Sequence, residues 1–364
     1  MEAIFWPFEA LLKPLNYANE AMRLLFPPQP SWATPNEIVL DLPTVRLRKF
    51  GTDVGVPTLI DAPFAGHSAH IADYAGDQSL VQTLLNNGIA GVYVTDWKSA
   101  TYEMRDLGID DYLDDLARIV DYLGSYVNLI GLCQGGWLAA IYSAIYPRQV
   151  NSLVIAGAPI DTDAGDGYIK KMAHGLPLEA FAALVQAGGG VMRGDLMLAS
   201  WKGMHPEIHL VFKWVDLWNN LDSKIDLERG RTFASWYENT IDLPGRFYLQ
   251  AVDQLFQRNL LFKGRLIAHG RQVSLSDITC PVYLLAGGED DITPPEQVLQ
   301  AQKVLPRRKS IPAFVAPAGH VGLFMGRNAL NEFWPDIAEW ISRKTTSGRG
   351  GAARYRSADI TKYN

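Results

Sequence analysis

Short apolar runs alternate with amphipathic stretches along most of the chain. The runs fall at 58–62, 92–95, 127–131, 153–156, 282–286 and 313–316. They are continuous rather than alternating, which is how strands buried on both faces of a parallel sheet read. Helical periodicity follows several of them, at 79–86, 109–122, 137–146, 295–304 and 330–342. Strands alternating with helices predict an α/β domain, with helices on both faces of a mostly parallel sheet.

Three segments leave this pattern. Residues 1–36 form an N-terminal helical segment. Ile4, Phe5, Phe8, Leu11, Leu12, Leu15 and Ala18 repeat with helical spacing, and Pro27 and Pro28 end the run. This helix is expected to pack on the domain; the alternative, a helix lying on a lipid or polymer surface, lacks the Lys/Arg-rich polar face of membrane-binding helices. Residues 161–276 break the alternation with a mostly helical stretch holding Met192, Met197, Trp201, Met204, Trp214, Trp218 and Trp236. It divides the core into 37–160 and 277–344 and is expected to be a lid. Residues 345–364 are basic and rich in Gly and Ser without apolar period, and are expected to be a flexible tail.

Composition narrows the function classes. Of 364 residues, 48% are hydrophobic and 20% charged, so a substantial core needs neither metal nor disulfide. The net charge of -6 argues against a nucleic-acid partner, which calls for a basic face. Cys133 and Cys280 are the two cysteines, a low usage that suits the cytoplasm. The first residues lack the basic, apolar and small-residue succession of a secretory signal, and no run of about 18 apolar residues predicts a membrane span.

The chemistry concentrates at one turn. An apolar strand runs into Gly131-Leu132-Cys133-Gln134-Gly135-Gly136, and a helix begins near Trp137. Strand, Gly-x-Cys-x-Gly and helix together describe a nucleophile elbow, the sharp turn that lifts a nucleophile above the sheet in the α/β-hydrolase fold. The glycines answer the tightness of the turn. The helix start puts backbone N–H groups and a positive dipole end beside the sulfur, which favours thiolate. A thiolate attacks an acyl carbonyl to give a thioester acyl-enzyme.

The fold orders its catalytic groups as nucleophile, acid, histidine. After the run at 282–286 comes Gly288-Glu289-Asp290-Asp291-Ile292, and after that at 313–316 comes Gly319-His320-Val321. Both sit at carboxyl ends of predicted strands, where open α/β sheets bind ligands. Asp290 is assigned as the acid, with Asp291 its main rival and Glu289 a lesser one, and His320 as the base. The loop Ala62-Pro63-Phe64-Ala65-Gly66-His67 follows the run at 58–62 and occupies the place of the second oxyanion donor. Gln134 N–H is the first donor, Phe64 or Ala65 N–H the second, and His67 a pocket wall or further polar contact. Cys280, before Pro281 at a strand start, is expected to be inert core. No calcium loop, phosphate loop or zinc-ligand spacing survives inspection, so neither metal nor cofactor is expected.

These residues resemble two related groups, the polyhydroxyalkanoate synthases and the intracellular polyhydroxybutyrate depolymerases. The elbow with its paired Gly135-Gly136 and the segment Val94-Thr95-Asp96-Trp97 resemble synthases. The loop 62–67, Pro159-Ile160-Asp161-Thr162, the stretch 247–253 with Phe256-Gln257-Arg258, and Asp290-Asp291-Ile292 are more similar to depolymerases. Synthases tend to carry histidine directly after the catalytic aspartate, where Asp291 stands here. The resemblance spans 37–342 and implies a Cys133–Asp290–His320 triad. It also implies a polyester or hydroxyacyl ester substrate, a granule surface as partner and a homodimer. Its balance favours a depolymerase or oligomer hydrolase, with a synthase using coenzyme A thioesters as the alternative and a non-catalytic granule-binding protein as a second one.

Overall fold

The structure, a computed structural model, describes residues 6–306 and 310–348. Eight strands form its main sheet: β1 (Glu37–Asp41), β2 (Val45–Gly51), β3 (Thr58–Asp61), β4 (Gly91–Trp97), β5 (Val127–Leu132), β6 (Val150–Ala156), β7 (Val282–Gly287) and β8 (Ala313–Ala316). Their spatial order is β1-β2-β4-β3-β5-β6-β7-β8. β1 and β2 run antiparallel to their neighbours and the other six are parallel. The six apolar runs are these parallel strands. β1 and β2 are absent from the apolar pattern because β1 has no fully buried residue and β2, Val-Arg-Leu-Arg-Lys-Phe-Gly, buries only Val45, Leu47 and Phe50 among partly exposed charges.

Side-chain alternation divides the core into two layers. Leu59, Leu129, Leu153, Ile155 and Leu284 point to one face, where α3 (Ile109–Tyr122) and α4 (Gln134–Ile145) pack. Ile60, Val92, Val94, Ile130, Val154 and Leu285 point to the other, against α2 (Leu80–Asn86) and the C-terminal helices. Each fully buried Leu or Ile contributes about 1.5–3 kcal/mol, so β3 to β7 form a stiff platform. The C-terminal helix, Trp334–Gly348, continues past the residue where the tail was read to begin, and its Thr345 hydroxyl meets Asn128 on β5. The rest of that tail, 349–364, lies outside the described residues.

The N-terminal helix, α1 (Trp6–Leu25), packs through a different stripe from the expected one. Ile4 and Phe5 lie outside the described residues, while Leu12, Leu15 and Ala18 are exposed. Tyr17, Ala21 and Leu24 make the contact, with Leu217 and Ala234. Glu20 lies beside them and is neutralised by Arg23 and Arg231.

Between β6 and β7 the chain forms six further α-helices, from Tyr168–Gly175 to Gly245–Gln250. Two π-helical stretches, Ile208–Phe212 and Ala251–Gln257, accompany them. Among the described residues no helix is long and apolar enough to cross a membrane.

Candidate active site

β5 ends at Leu132 and α4 begins at Gln134, so Cys133 alone makes the turn. Its backbone is held at φ 49° and ψ −117°, a positive φ rare for a side-chain-bearing residue and characteristic of a strained elbow. The Cys133 amide is anchored on the Ala156 carbonyl of β6 at 2.9 Å. The glycines allow the close approach. A Cβ on Gly131 would stand 2.4 Å from the Gly136 Cα, and one on Gly135 would stand 2.0 Å from the Asp61 carbonyl oxygen.

The loops after β7 and β8 bring their polar residues to this turn. His320 Nδ1 lies 2.7 Å from Asp290 Oδ2, with the two side chains 9% and 0% exposed. Asp290 Oδ1 accepts the backbone N–H groups of Ile292 at 3.0 Å and Thr293 at 2.7 Å, which fixes the carboxylate. With Nδ1 engaged by Asp290, Nε2 is the ring nitrogen left for Cys133, whose side chain acts on the imidazole. Burial pushes the imidazole pKa down, but the Asp290 carboxylate and the Cys133 sulfur outweigh it and hold the pKa well above the ordinary histidine value.

The rivals for the acid stand elsewhere. Asp291 faces outward and pairs with His205 of the insertion, Nε2 to Oδ2 at 2.6 Å. Glu289 is exposed. Cys280 is a free thiol whose pKa burial pushes up to about 12, so it stays unreactive.

The loop after β3 departs from the expectation at two residues. Phe64 N–H is engaged, donating to the Gln134 side-chain oxygen at 3.0 Å. The Phe64 ring is buried in a cluster with Trp97, Tyr112 and Phe247, at centroid distances of 4.8–5.1 Å. Phe64 is therefore a packing residue that ties the loop to the elbow, and Ala65 is the member of the pair whose N–H has no partner among the described residues. Gln134 has two roles: its side chain clamps this loop, while its own N–H belongs to the first turn of α4, where intrahelical partners are lacking. The His67 side chain is engaged with the insertion. Its Nε2–H donates to the Tyr237 carbonyl at 2.9 Å, and its ring stacks on Tyr237 and tilts against Trp236. Burial pushes its pKa down to about 4, so it is a neutral donor at pH 7.

His67 belongs to a wider connection that the sequence did not signal. The insertion bonds to the loop after β3 a second time, Ile241 N–H to the Gly66 carbonyl at 3.0 Å, and Met197 packs over Gly66. It bonds to the acid loop through His205 and through Tyr168 N–H on the Asp291 carbonyl at 3.2 Å. Both loops that flank Cys133 are thus tied to the segment between β6 and β7.

The family model described as PHB de-polymerase C-terminus matches residues 157–345. The poly(3-hydroxyalkanoate) polymerase subunit PhaC of Haloferax mediterranei is 28% identical over 325 residues, 86% of this chain and 65% of that protein. The PhaC subunit of Allochromatium vinosum is 27% identical over 281 residues, 76% of this chain and 78% of its own length. The chain thus spans just under two thirds of the first relative. Among solved structures, the epoxide hydrolase of Bacillus megaterium in complex with an inhibitor aligns with a TM-score of 0.52 at 14% identity, over 85% of this chain and 99% of that one. With the strand order and the elbow, that likeness identifies the architecture as the α/β-hydrolase fold.

Proposed function

The chain belongs to the family described as PHB de-polymerase C-terminus, within the polyhydroxyalkanoate synthase group of α/β-hydrolase-fold enzymes, and from that membership we propose that it transfers hydroxyacyl groups into a polyester through an acyl-enzyme on Cys133. The observation that carries the chemistry is the contact of His320 with both Asp290 and Cys133. The Cys133 thiolate attacks the carbonyl carbon of a hydroxyacyl coenzyme A thioester. The carbonyl oxygen takes the negative charge and is met by the N–H groups of Gln134 and Ala65. The carbon–sulfur bond to coenzyme A breaks, and His320 gives its proton to the departing thiol. His320 then takes the proton of a chain-end hydroxyl as that oxygen attacks the acyl-Cys133 carbonyl. The new ester forms and Cys133 leaves as thiolate.

The sequence balance favoured water as the acceptor. The relatives named as polymerase subunits support transfer to a hydroxyl better. Hydrolysis is kept as a second reading because the matching family model is described by a depolymerase. The two share every step up to the acyl-enzyme and differ in whether water reaches it. The insertion between β6 and β7, tied to both flanking loops, is suited to act as a lid that excludes water.

A paired assay separates the readings. One tube holds hydroxybutyryl-coenzyme A, the other a trimeric hydroxybutyrate ester. Coenzyme A release with polymer growth is expected, and Cys133→Ala abolishes it. Free hydroxy acid from the ester, with no polymer from the thioester, would replace transfer by hydrolysis. Turnover unchanged in Cys133→Ala would make Cys133 a bystander, and no turnover in either tube would favour a non-catalytic granule-binding role.

A further inference from the structure

Asp61 is the last residue of β3 and the base of the loop that carries Phe64 and Ala65. It is fully buried. Oδ1 accepts the Thr95 hydroxyl and the Trp97 indole N–H, each at 3.0 Å, while Oδ2 has no partner among the described residues. The Thr95 oxygen in turn accepts Ala62 N–H at 3.0 Å. Carboxyl, hydroxyl and amide therefore form a chain that ends on the first residue of the loop. Trp97, the second donor, packs on the Phe64 ring, and the Asp61 backbone oxygen is the atom against which Gly135 of the elbow rests.

No charged group acts on Asp61. Its titratable neighbour across the ring cluster, Tyr112, has its phenol pushed up by burial and stays neutral. Ionised, Asp61 would be an unpaired charge in an apolar layer, a far costlier state than the neutral acid. Burial accordingly pushes its pKa up to about 7, against the hydrogen bonds from Trp97 and Thr95.

We propose that Asp61 is a positioning residue for acyl transfer, holding the loop of Phe64 and Ala65 against the Cys133 elbow as a neutral carboxylic acid. Ionisation places a charge beneath the loop and draws the Thr95 and Trp97 donors toward it. The Ala65 N–H then moves from where the oxyanion forms, so the effect falls on kcat rather than KM. This role rests on acyl transfer at Cys133.

The test compares wild type, Asp61→Asn and Asp61→Ala. Asn keeps the shape of the neutral acid and does not titrate. Asp61→Ala is expected to lose kcat on the order of 10²-fold, the effect of a displaced catalytic contact, with KM little changed. Asp61→Asn restores most of that loss at pH 6 and removes the wild type's decline in kcat above pH 7. Urea unfolding gives a readout independent of turnover. An acid whose folded pKa is raised contributes fully below the unfolded value of about 3.9, and that contribution is lost as pH rises through about 7. The stability of wild type relative to Asp61→Asn should fall across that window. Turnover with superimposed pH profiles in both measurements, or an active Asp61→Ala, overturns the Asp61 proposal alone. No turnover in wild type overturns acyl transfer and the positioning role with it.

Discussion

Replacing Asp290 by Asn tests the assignment of the acid against its neighbour. The native carboxylate accepts His320 Nδ1–H on one oxygen and two backbone N–H groups on the other. Asn can keep its oxygen toward the two backbone donors only by turning its NH₂ toward His320. Two donors then face each other, and the imidazole must present its acceptor nitrogen to the new amide and its N–H to Cys133. In that tautomer it has no lone pair to take the thiol proton. A hydrogen bond to a charged group is worth about 1.5–3 kcal/mol, or about one to two powers of ten in rate at 1.36 kcal/mol per decade. The wrong tautomer adds to this, and the same change in a serine triad lowers kcat about 10⁴-fold. The carboxylate that raises the His320 pKa is also gone, which leaves the Cys133 sulfur alone to act against burial. The assay is single-turnover acylation by a chromogenic hydroxyacyl ester, with iodoacetamide alkylation of Cys133 followed against pH. Asp290→Asn should lower acylation by at least about 10²-fold and slow the alkylation of Cys133. Asp291→Asn should leave both nearly unchanged, because Asp291 serves only an exposed pair with His205. Equal damage from the two substitutions, or none from the first, would refute the assignment.

The elbow allows a steric prediction. Gly135→Ala places a Cβ 2.0 Å from a backbone oxygen, so the strand or the helix must shift; a lower melting temperature and loss of acylation are expected, and a wild-type melting curve would contradict the packing. Phe64→Ala empties a site that is 1% exposed inside a four-ring cluster and should cost about 3–5 kcal/mol in urea unfolding. A cost below about 1 kcal/mol would mean the loop is held by hydrogen bonds instead. His205 carries a pH dependence: Asp291 raises its pKa when folded, so the ion pair stabilises fully below the unfolded value of about 6.5 and is lost as pH rises through the raised one. Both partners are half-exposed, which limits the contribution to about 1 kcal/mol or less. His205→Ala should flatten the melting temperature between pH 6 and 9 by a small amount, and a steeper profile would reverse the sign.

The parts of this molecule that are readable in one dimension are those where a single constraint fixes the residue type. β3 to β8 include strands buried on both faces, and such strands have little choice but continuous apolar runs. The elbow is legible because a Cβ on its glycines would stand only 2.0–2.4 Å from neighbouring atoms. Asp290 and His320 follow from chain order and from their places after β7 and β8. β2 escaped because its Arg46, Arg48 and Lys49 separate the buried Val45, Leu47 and Phe50, and those charges look like loop until the sheet is assembled. On α1 more than one apolar stripe exists, and periodicity alone could not choose Tyr17, Ala21 and Leu24 over Leu12 and Leu15.

The hardest residues to read are those whose role depends on a partner far along the chain. Phe64 and Gln134 are 70 positions apart, and only their 3.0 Å contact reveals that the expected oxyanion donor is occupied. His67 meets Tyr237 across 170 positions, so its Nε2–H is spent on the insertion. Asp61 left one sequence signal, an acid closing the apolar run Thr58-Leu59-Ile60 just before Ala62-Pro63. A carboxyl at the end of a strand buried on both faces needs either a cation or a proton. Since no charged group acts on it, the proton is the physical answer.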